Sequence, residues 1–301
     1  MTATATLRIG TRASRLARAQ TDLAIRALVP MSTGPIEVVP VTTDGDSISA
    51  HRPSGDWVAG DGQFTRELER ALLDRRVDLV VHSFKDLPTE SNDELVIAAI
   101  LVRGDARDCV LTPVGSGIDD LPFGGRIGTS STRRAAQLAA ARSDLIAIPI
   151  RGNVESRLQR LRAGEYDGLL LAAAGLDRLG IEIGPQSRLP FDVMLPAPAQ
   201  GALALQVRAG DAGLCRLLGS VDHAPSRIAV EAERSLLRTL GGGCLAPLGA
   251  LGEVSGRTLR LRAAFEDRTG TLVRAEATGP ASDGAAVALD VARRISAAAQ
   301  L

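Results

Sequence analysis

Val80-Val81-His82-Ser83-Phe84-Lys85-Asp86-Leu87-Pro88 sets a hydroxyl, a cation and a carboxylate side by side where an apolar run meets a turn. A carboxylate so placed can stabilise a developing cation or take part in proton transfer. A Lys85–Asp86 ion pair that only orders the loop is the plainer alternative, but neighbours in extended chain point to opposite sides. Lys85 is the only lysine of the chain, every other base being arginine. Codon bias accounts for the skew as a whole. Even so, lysine is a compact point charge whose pKa shifts readily, and arginine does not reproduce that chemistry. Thr129-Ser130-Ser131 places hydroxyls at a strand-to-helix turn, where free N–H groups and the helix dipole attract anions. Arg133 and Arg134 follow within the first turn. Ser131 as a simple cap with solvated arginines behind it is the bland reading. The dipole disfavours arginine there, however, so two of them call for an anion or an acidic partner.

Further arginines share this placement. Arg151-Gly152-Asn153 lies just after the apolar run Leu145 to Ile150, Arg157 sits near the start of the next helix, and Arg12 and Arg178 occupy comparable loop positions. Singly, each is an ordinary surface arginine. Together they stand at the C-terminal ends of strands from two lobes, which is where open α/β sheets bind ligands. Bidentate pairing makes arginine the suitable partner for carboxylates. Cys244 ends the run Gly241-Gly242-Gly243-Cys244, an exposed, close-approach turn that favours a reactive or modified thiol. Cys109 and Cys215 read instead as buried, inert thiols.

Strands and helices must position these groups, and the first half of the chain alternates short apolar strands with amphipathic helices, the mark of an α/β fold. Leu7 to Ile9 is a strand, and Leu16, Ala17, Gln20, Leu23, Ala24, Ala27 and Leu28 then recur at helical spacing. Val38 to Val41 is a second strand, and helix Thr65 to Asp74 leads into strand Val77 to Val81. Residues 49 to 63, rich in Gly, Ser and Asp, form a loop that is either a lid or a long connection. Arg-Ile-Gly-Thr occurs at Arg8–Thr11 and again at Arg126–Thr129, and Leu73 to Val81 is echoed by Arg162 to Leu171 roughly 90 residues later. Two similar lobes with a cleft between them account for these echoes. After Leu195-Pro196-Ala197-Pro198-Ala199 comes a strand, Ala202 to Val207. Helix Ser226 to Leu240, strands Thr258 to Phe265 and Leu272 to Thr278, and helix Gly284 to Ala298 make a small α+β domain. The expected division is 1–101 with 199–218, then 102–198, then 222–301.

Composition narrows the partners. With 301 residues the chain can hold two or three cores. Its 35 acidic and 35 basic residues balance, so no whole-molecule field favours nucleic acid or an acidic membrane. Aromatics at 2% argue against stacking platforms for single strands. The three cysteines and the three histidines, His51, His82 and His223, are dispersed, which suggests neither a disulfide framework nor a metal site. The N-terminus lacks the pattern of a signal peptide, and the apolar run Leu169 to Ala174 is far too short to span a membrane. A cytoplasmic setting is expected.

Several segments in order resemble the porphobilinogen deaminase (hydroxymethylbilane synthase) family. They are Thr11-Arg12-Ala13-Ser14-Arg15-Leu16-Ala17 with Gln20, the Val81 to Pro88 segment, Gly128 to Arg134, Arg151-Gly152-Asn153-Val154 with Arg157, Pro198-Ala199-Gln200-Gly201-Ala202, and Gly242-Gly243-Cys244. The resemblance implies two lobes like those of periplasmic binding proteins plus a third domain, and a monomer acting on porphobilinogen and the growing polypyrrole. It implies a dipyrromethane cofactor held by a thioether to Cys244, and Asp86 as the catalytic aspartate. Cofactor- and substrate-binding roles are implied for Arg12, Ser14, Gln20, Phe64, Ser83, Lys85, Thr129, Ser130, Ser131, Arg133, Arg134, Arg151, Gly152, Arg157, Arg178 and Gln200. One departure is Asp61, where many members carry a lysine in the loop; a catalytically weak paralogue would follow if that charge matters. A non-enzymatic two-lobed carboxylate binder would share the arginines, but it has no use for Asp86 beside Lys85 or for a thiol in a glycine turn.

Overall fold

The computed structural model describes residues 6–31, 34–41, 65–89, 92–113, 117–242 and 246–299, so the loop over residues 49 to 63, Phe64 and Cys244 lie outside the described residues. The chain divides into two compact units, residues 1–103 with 202–226 and residues 104–201 with 227–301.

In the first unit, strand β1 (Leu7–Thr11) buries Ile9 and feeds helix α1 (Arg15–Leu28). Ser14 caps that helix, its Oγ accepting from the Ala17 N–H at 3.2 Å, and Gln20, Thr21, Ala24 and Leu28 form the buried stripe. Strands β2 (Ile36–Pro40) and β3 (Leu79–Ser83) flank β1 in parallel. Helix α2 (Arg66–Leu73) buries Leu68, Ala71 and Leu72. Strand β4 (Leu95–Ile100) and the returning β9 (Leu203–Arg208) complete the sheet in the order β2-β1-β3-β9-β4, with β9 antiparallel to both neighbours. β4 was not expected from the sequence. Its unbroken apolar run, Leu95 to Ile100, has no alternation to separate a buried strand from a buried helix.

The second unit holds β5 (Asp108–Leu111), β6 (Arg126–Gly128), helix α3 (Thr132–Ala141), β7 (Ile146–Ile148), helix α4 (Val154–Arg162), β8 (Gly168–Ala172) and helix α5 (Ala173–Arg178). Its sheet runs β5-β8-β6-β7, with β6 parallel to both neighbours and β5 antiparallel to β8. The sequence echoes become one structural device used twice. Asp78 donates its N–H to the Arg8 carbonyl at 2.8 Å while the Arg8 N–H donates to the Asp78 carboxylate at 3.1 Å. Asp167 and Arg126 repeat both bonds at 2.8 and 2.7 Å. Gly10 and Gly128 are equivalent too. A Cβ at Gly10 would lie 2.9 Å from Val80 Cγ1, and one at Gly128 would lie 2.5 Å from Leu169, so each lets β1 or β6 close on its neighbour.

The same unit carries an antiparallel meander, β10 (Leu248–Ser255), β11 (Thr258–Glu266) and β12 (Leu272–Pro280), packed with helices α6 (Ala224–Thr239) and α7 (Gly284–Ala298). Leu236, Leu248, Leu259, Leu261, Val287, Val291 and Ile295 fill that core. The sequence showed the last two strands and not β10, whose Leu-Gly-Ala-Leu-Gly stretch has no β-branched residue before Val254. Among the described residues no helix is long and apolar enough to cross a membrane.

Candidate functional site

In the first unit, β3 ends at Ser83 and the chain enters a single 3₁₀ turn, Phe84–Asp86. Phe84 is buried and its N–H donates to the Ala202 carbonyl at 3.0 Å, which fixes the turn at its base. Gln20, on α1, donates from Nε2 to Ser83 Oγ at 2.7 Å, so two expected site residues meet. Lys85 is half-buried, whereas Asp86 is exposed and pairs with no base among the described residues. The loop-ordering Lys85–Asp86 pair is therefore not what holds the turn. Arg12 is half-buried in the β1–α1 connection, and Ser14 is engaged as the cap.

Behind this turn His82 is buried, with Nε2 2.9 Å from Gln206 Oε1, while Gln206 Nε2 donates to Glu69 Oε1 at 3.0 Å. The carboxylate can only accept, so Gln206 presents its carbonyl to His82 and the imidazole carries its proton on Nε2. Burial pushes the His82 pKa down to about 4, outweighing the hydrogen bond to Gln206. The folded protein thus holds a neutral imidazole, whereas the free side chain would protonate near 6.5. Stability from this group is complete above about pH 6.5 and falls as pH drops toward about 4, by roughly 3 kcal/mol in all. His82→Gln should flatten the urea-unfolding free energy across that window. An unchanged slope would mean that His82 takes up a proton within the fold.

In the second unit, Thr129 is buried after β6, and its Oγ1 accepts from the Ser131 N–H at 3.2 Å. Ser131 caps α3, and Ser130 Oγ donates to the Ile150 carbonyl at 2.8 Å and accepts from the Ile150 N–H at 3.0 Å. Arg133 and Arg134 are not solvated. Both are buried, and the acid they call for is Asp108, at the start of β5 and fully buried. Asp108 Oδ2 accepts from Arg133 Nη1 at 2.7 Å, and Oδ1 accepts from Arg134 Nε and Nη2 at 3.0 and 2.7 Å. Gln200 Nε2 donates to the same Oδ1 at 3.1 Å and to the Ala106 carbonyl at 2.8 Å. Burial alone would raise the Asp108 pKa, but the charges of Arg133 and Arg134 overcome it and hold the carboxyl well below its usual range. Burial also lowers the Arg133 pKa, yet a guanidinium starts so far above neutral that it stays protonated. Sequence reading missed Asp108. The available signal was an acid opening the apolar run Cys109-Val110-Leu111, where a charge needs a partner.

Arg151 is exposed after β7, and Gly152 has φ +106°, a conformation side chains rarely adopt; a Cβ there would also strike Ser156 Oγ. Asn153 caps α4 by accepting from the Ser156 N–H at 2.9 Å. Arg157 folds back, its Nε donating to the Gly152 carbonyl at 2.8 Å. Its pKa is pushed down to about 10, first by burial and then by the positive charges of Arg134 and Arg151. No carboxylate pairs with Arg157 among the described residues. Arg157 thus feels two other guanidiniums, one of which, Arg134, is already paired with Asp108. Arg178 lies elsewhere in the pattern, at the end of α5, where Nη2 donates to the Gly201 carbonyl at 2.6 Å. Burial takes its pKa down to about 10 against the opposing charge of Asp177. Cys109 is fully buried with its thiol pushed up to about 12 by burial, an inert sulfur as expected, and Cys215 is half-buried.

Comparison with known proteins gives a consistent answer. A family model described as porphobilinogen deaminase, dipyromethane cofactor binding domain, matches residues 7–216, and one described as porphobilinogen deaminase, C-terminal domain, matches residues 227–297. The chain is similar to the porphobilinogen deaminase of Desulforudis audaxviator, 46% identical over 291 residues that cover 95% of this chain and 93% of that protein. It is likewise 46% identical over 296 residues to the porphobilinogen deaminase of Acidothermus cellulolyticus, covering 97% of this chain and 87% of that protein. Among solved structures, the periplasmic VFT2 domain of Bordetella pertussis BvgS overlaps 72% of this chain and 86% of its own at 13% identity and a TM-score of 0.43.

Proposed function

The chain belongs to the porphobilinogen deaminase family, and from that premise we propose which of its residues carry the reaction. The activity is that of a transferase, a hydroxymethylbilane synthase, which joins porphobilinogen units into the linear tetrapyrrole hydroxymethylbilane and releases ammonia, a step of heme and porphyrin biosynthesis. Its cofactor is dipyrromethane, which when bound supplies the primer for the growing chain.

The residues fit such a group. Every pyrrole carries an acetate and a propionate, and the observation that carries the reading is Arg157, which has no carboxylate partner among the described residues and feels the positive charges of Arg134 and Arg151. A guanidinium pressed by two others gains most from an arriving carboxylate. Arg133 Nε is buried and has no hydrogen-bond partner among the described residues. Arg12, Lys85, Arg178 and Gln200 complete the polar set. Gln20, Ser14 and Ser83 hold the first-unit turns, Thr129, Ser130 and Ser131 hold the start of α3, and Gly152 lets the backbone bend between Arg151 and Arg157. Asp86 is the catalytic residue: an exposed carboxylate on a firmly based turn stabilises positive charge as it develops on a pyrrole. Phe64 belongs to the binding set, and Cys244 bears the cofactor through a thioether. The protein works as a monomer in the cytoplasm, on porphobilinogen and the polypyrrole alone, with the domain division 1–101 with 199–218, 102–198 and 222–301.

The test is intact mass followed by peptide mapping. Active protein should carry one dipyrrole adduct, on the peptide containing Cys244. Cys244→Ser should keep its melting temperature and lose the adduct. An adduct on Cys109 or Cys215, or unmodified Cys244 in active protein, would overturn the assignment.

A further inference from the structure

Resting on that reading, we infer that Asp108 is a positioning residue, one that fixes the attitudes of Arg133, Arg134 and Gln200 from beneath the binding surface. Its two oxygens take four N–H donors from three residues in two separate parts of the chain: two from Arg134 and one from Arg133 on α3, and one from Gln200 in the turn before β9. Each guanidinium is then held a second time by a backbone carbonyl, Arg133 Nη1 by Leu195 at 2.6 Å and Arg134 Nη1 by Leu170 at 2.9 Å. Gln137, one turn further along α3, brackets Leu195 from both sides, accepting from its N–H at 2.7 Å and donating to its carbonyl at 3.0 Å. Two long, flexible side chains are thereby reduced to one arrangement before any ligand arrives, which removes an ordering cost from binding.

Stability alone gives little reason for the cluster. A buried ion triad is often no better than apolar side chains of the same volume. This one also strands Arg133 Nε without a partner among the described residues, a cost that a purely structural cluster would gain by shedding. Placed arginines are the remaining use for it.

Asp108→Glu and Asp108→Asn, made in the full chain, separate placement from support. Glutamate keeps the charge but moves the carboxylate by about one bond length, and a misplacement of about 1 Å can cost on the order of a hundredfold. The glutamate variant should melt close to wild type and carry the dipyrrole adduct, yet show at least a tenfold loss in kcat/KM. The asparagine variant should melt lower, and intact mass should show a smaller dipyrrole-loaded fraction. If loaded molecules of either variant keep KM and kcat within twofold of wild type while only the melting temperature falls, Asp108 merely supports the fold. If neither variant folds beside a soluble wild type, the inference falls in the same way. A wild-type preparation with no dipyrrole adduct would instead sink the functional reading itself.

Discussion

Replacing Asp86 by Asn should leave the dipyrrole adduct in place and lower turnover about a hundredfold. The two carboxylates that matter, Asp86 and Asp108, sit in opposite settings. Asp108 is buried and fully engaged by guanidiniums, so its charge is spent inside the protein. Asp86 is exposed on a turn whose base is fixed by Phe84 and by the Gln20–Ser83 bond, and no base pairs with it among the described residues. A charge held in place but not paired is the kind that stabilises a cationic transition state, because it need not reorganise as the charge appears. Removing one such group typically costs about 3 kcal/mol of transition-state stabilisation, roughly a hundredfold in rate. The isosteric amide keeps shape and hydrogen bonding, so intact mass and melting temperature should match wild type. Turnover within threefold of wild type would reduce Asp86 to a residue that shapes the turn.

How much of this was legible in the sequence depended on whether a residue announces its partner. Cation and hydroxyl at strand ends were readable because local rules govern them: Ser131 caps, and the Arg-Ile-Gly-Thr repeats at Arg8 and Arg126 lie in equivalent strands. Helix Gly284–Ala298 was readable to its ends, since its buried positions Val287, Ala288, Val291, Ala292 and Ile295 follow helical spacing. Strands β4, β5 and β10 were not. The first lacks alternation, the second is four residues opened by a charge, and the third is diluted by glycine. The site failed to show itself for a related reason. Arg133 and Arg134 call for an acid, but that acid is 25 residues from Arg133, on a strand brought beside α3 only by the fold. Local sequence can therefore say that a charge needs compensation without saying what supplies it.

That distinction sets the sharpest contrast among the arginines, which otherwise look alike. Arg134→Leu should strip two charged donors from one oxygen of a buried carboxylate, and breaking a buried pair in this way costs about 3–5 kcal/mol. The melting temperature should fall by roughly 10 °C. Arg157→Leu should behave differently. Arg157 has no carboxylate partner among the described residues and is repelled by Arg134 and Arg151, so the fold loses one hydrogen bond to the Gly152 carbonyl and is relieved of an unfavourable charge. These two terms are of similar size, about 1 kcal/mol each, and the variant should melt within a few degrees of wild type. Its function should nevertheless suffer, because a charged hydrogen bond to a bound carboxylate is worth about 1.5–3 kcal/mol, or roughly 10- to 150-fold in affinity. Arg157→Lys should restore charge and only part of the grip, since an ammonium cannot offer two parallel N–H groups. Melting temperature, dipyrrole loading and KM measured on both leucine variants decide the matter. Should Arg157→Leu melt as low as Arg134→Leu, its charge is compensated within the fold, and Arg157 is not a cation that calls for a bound carboxylate.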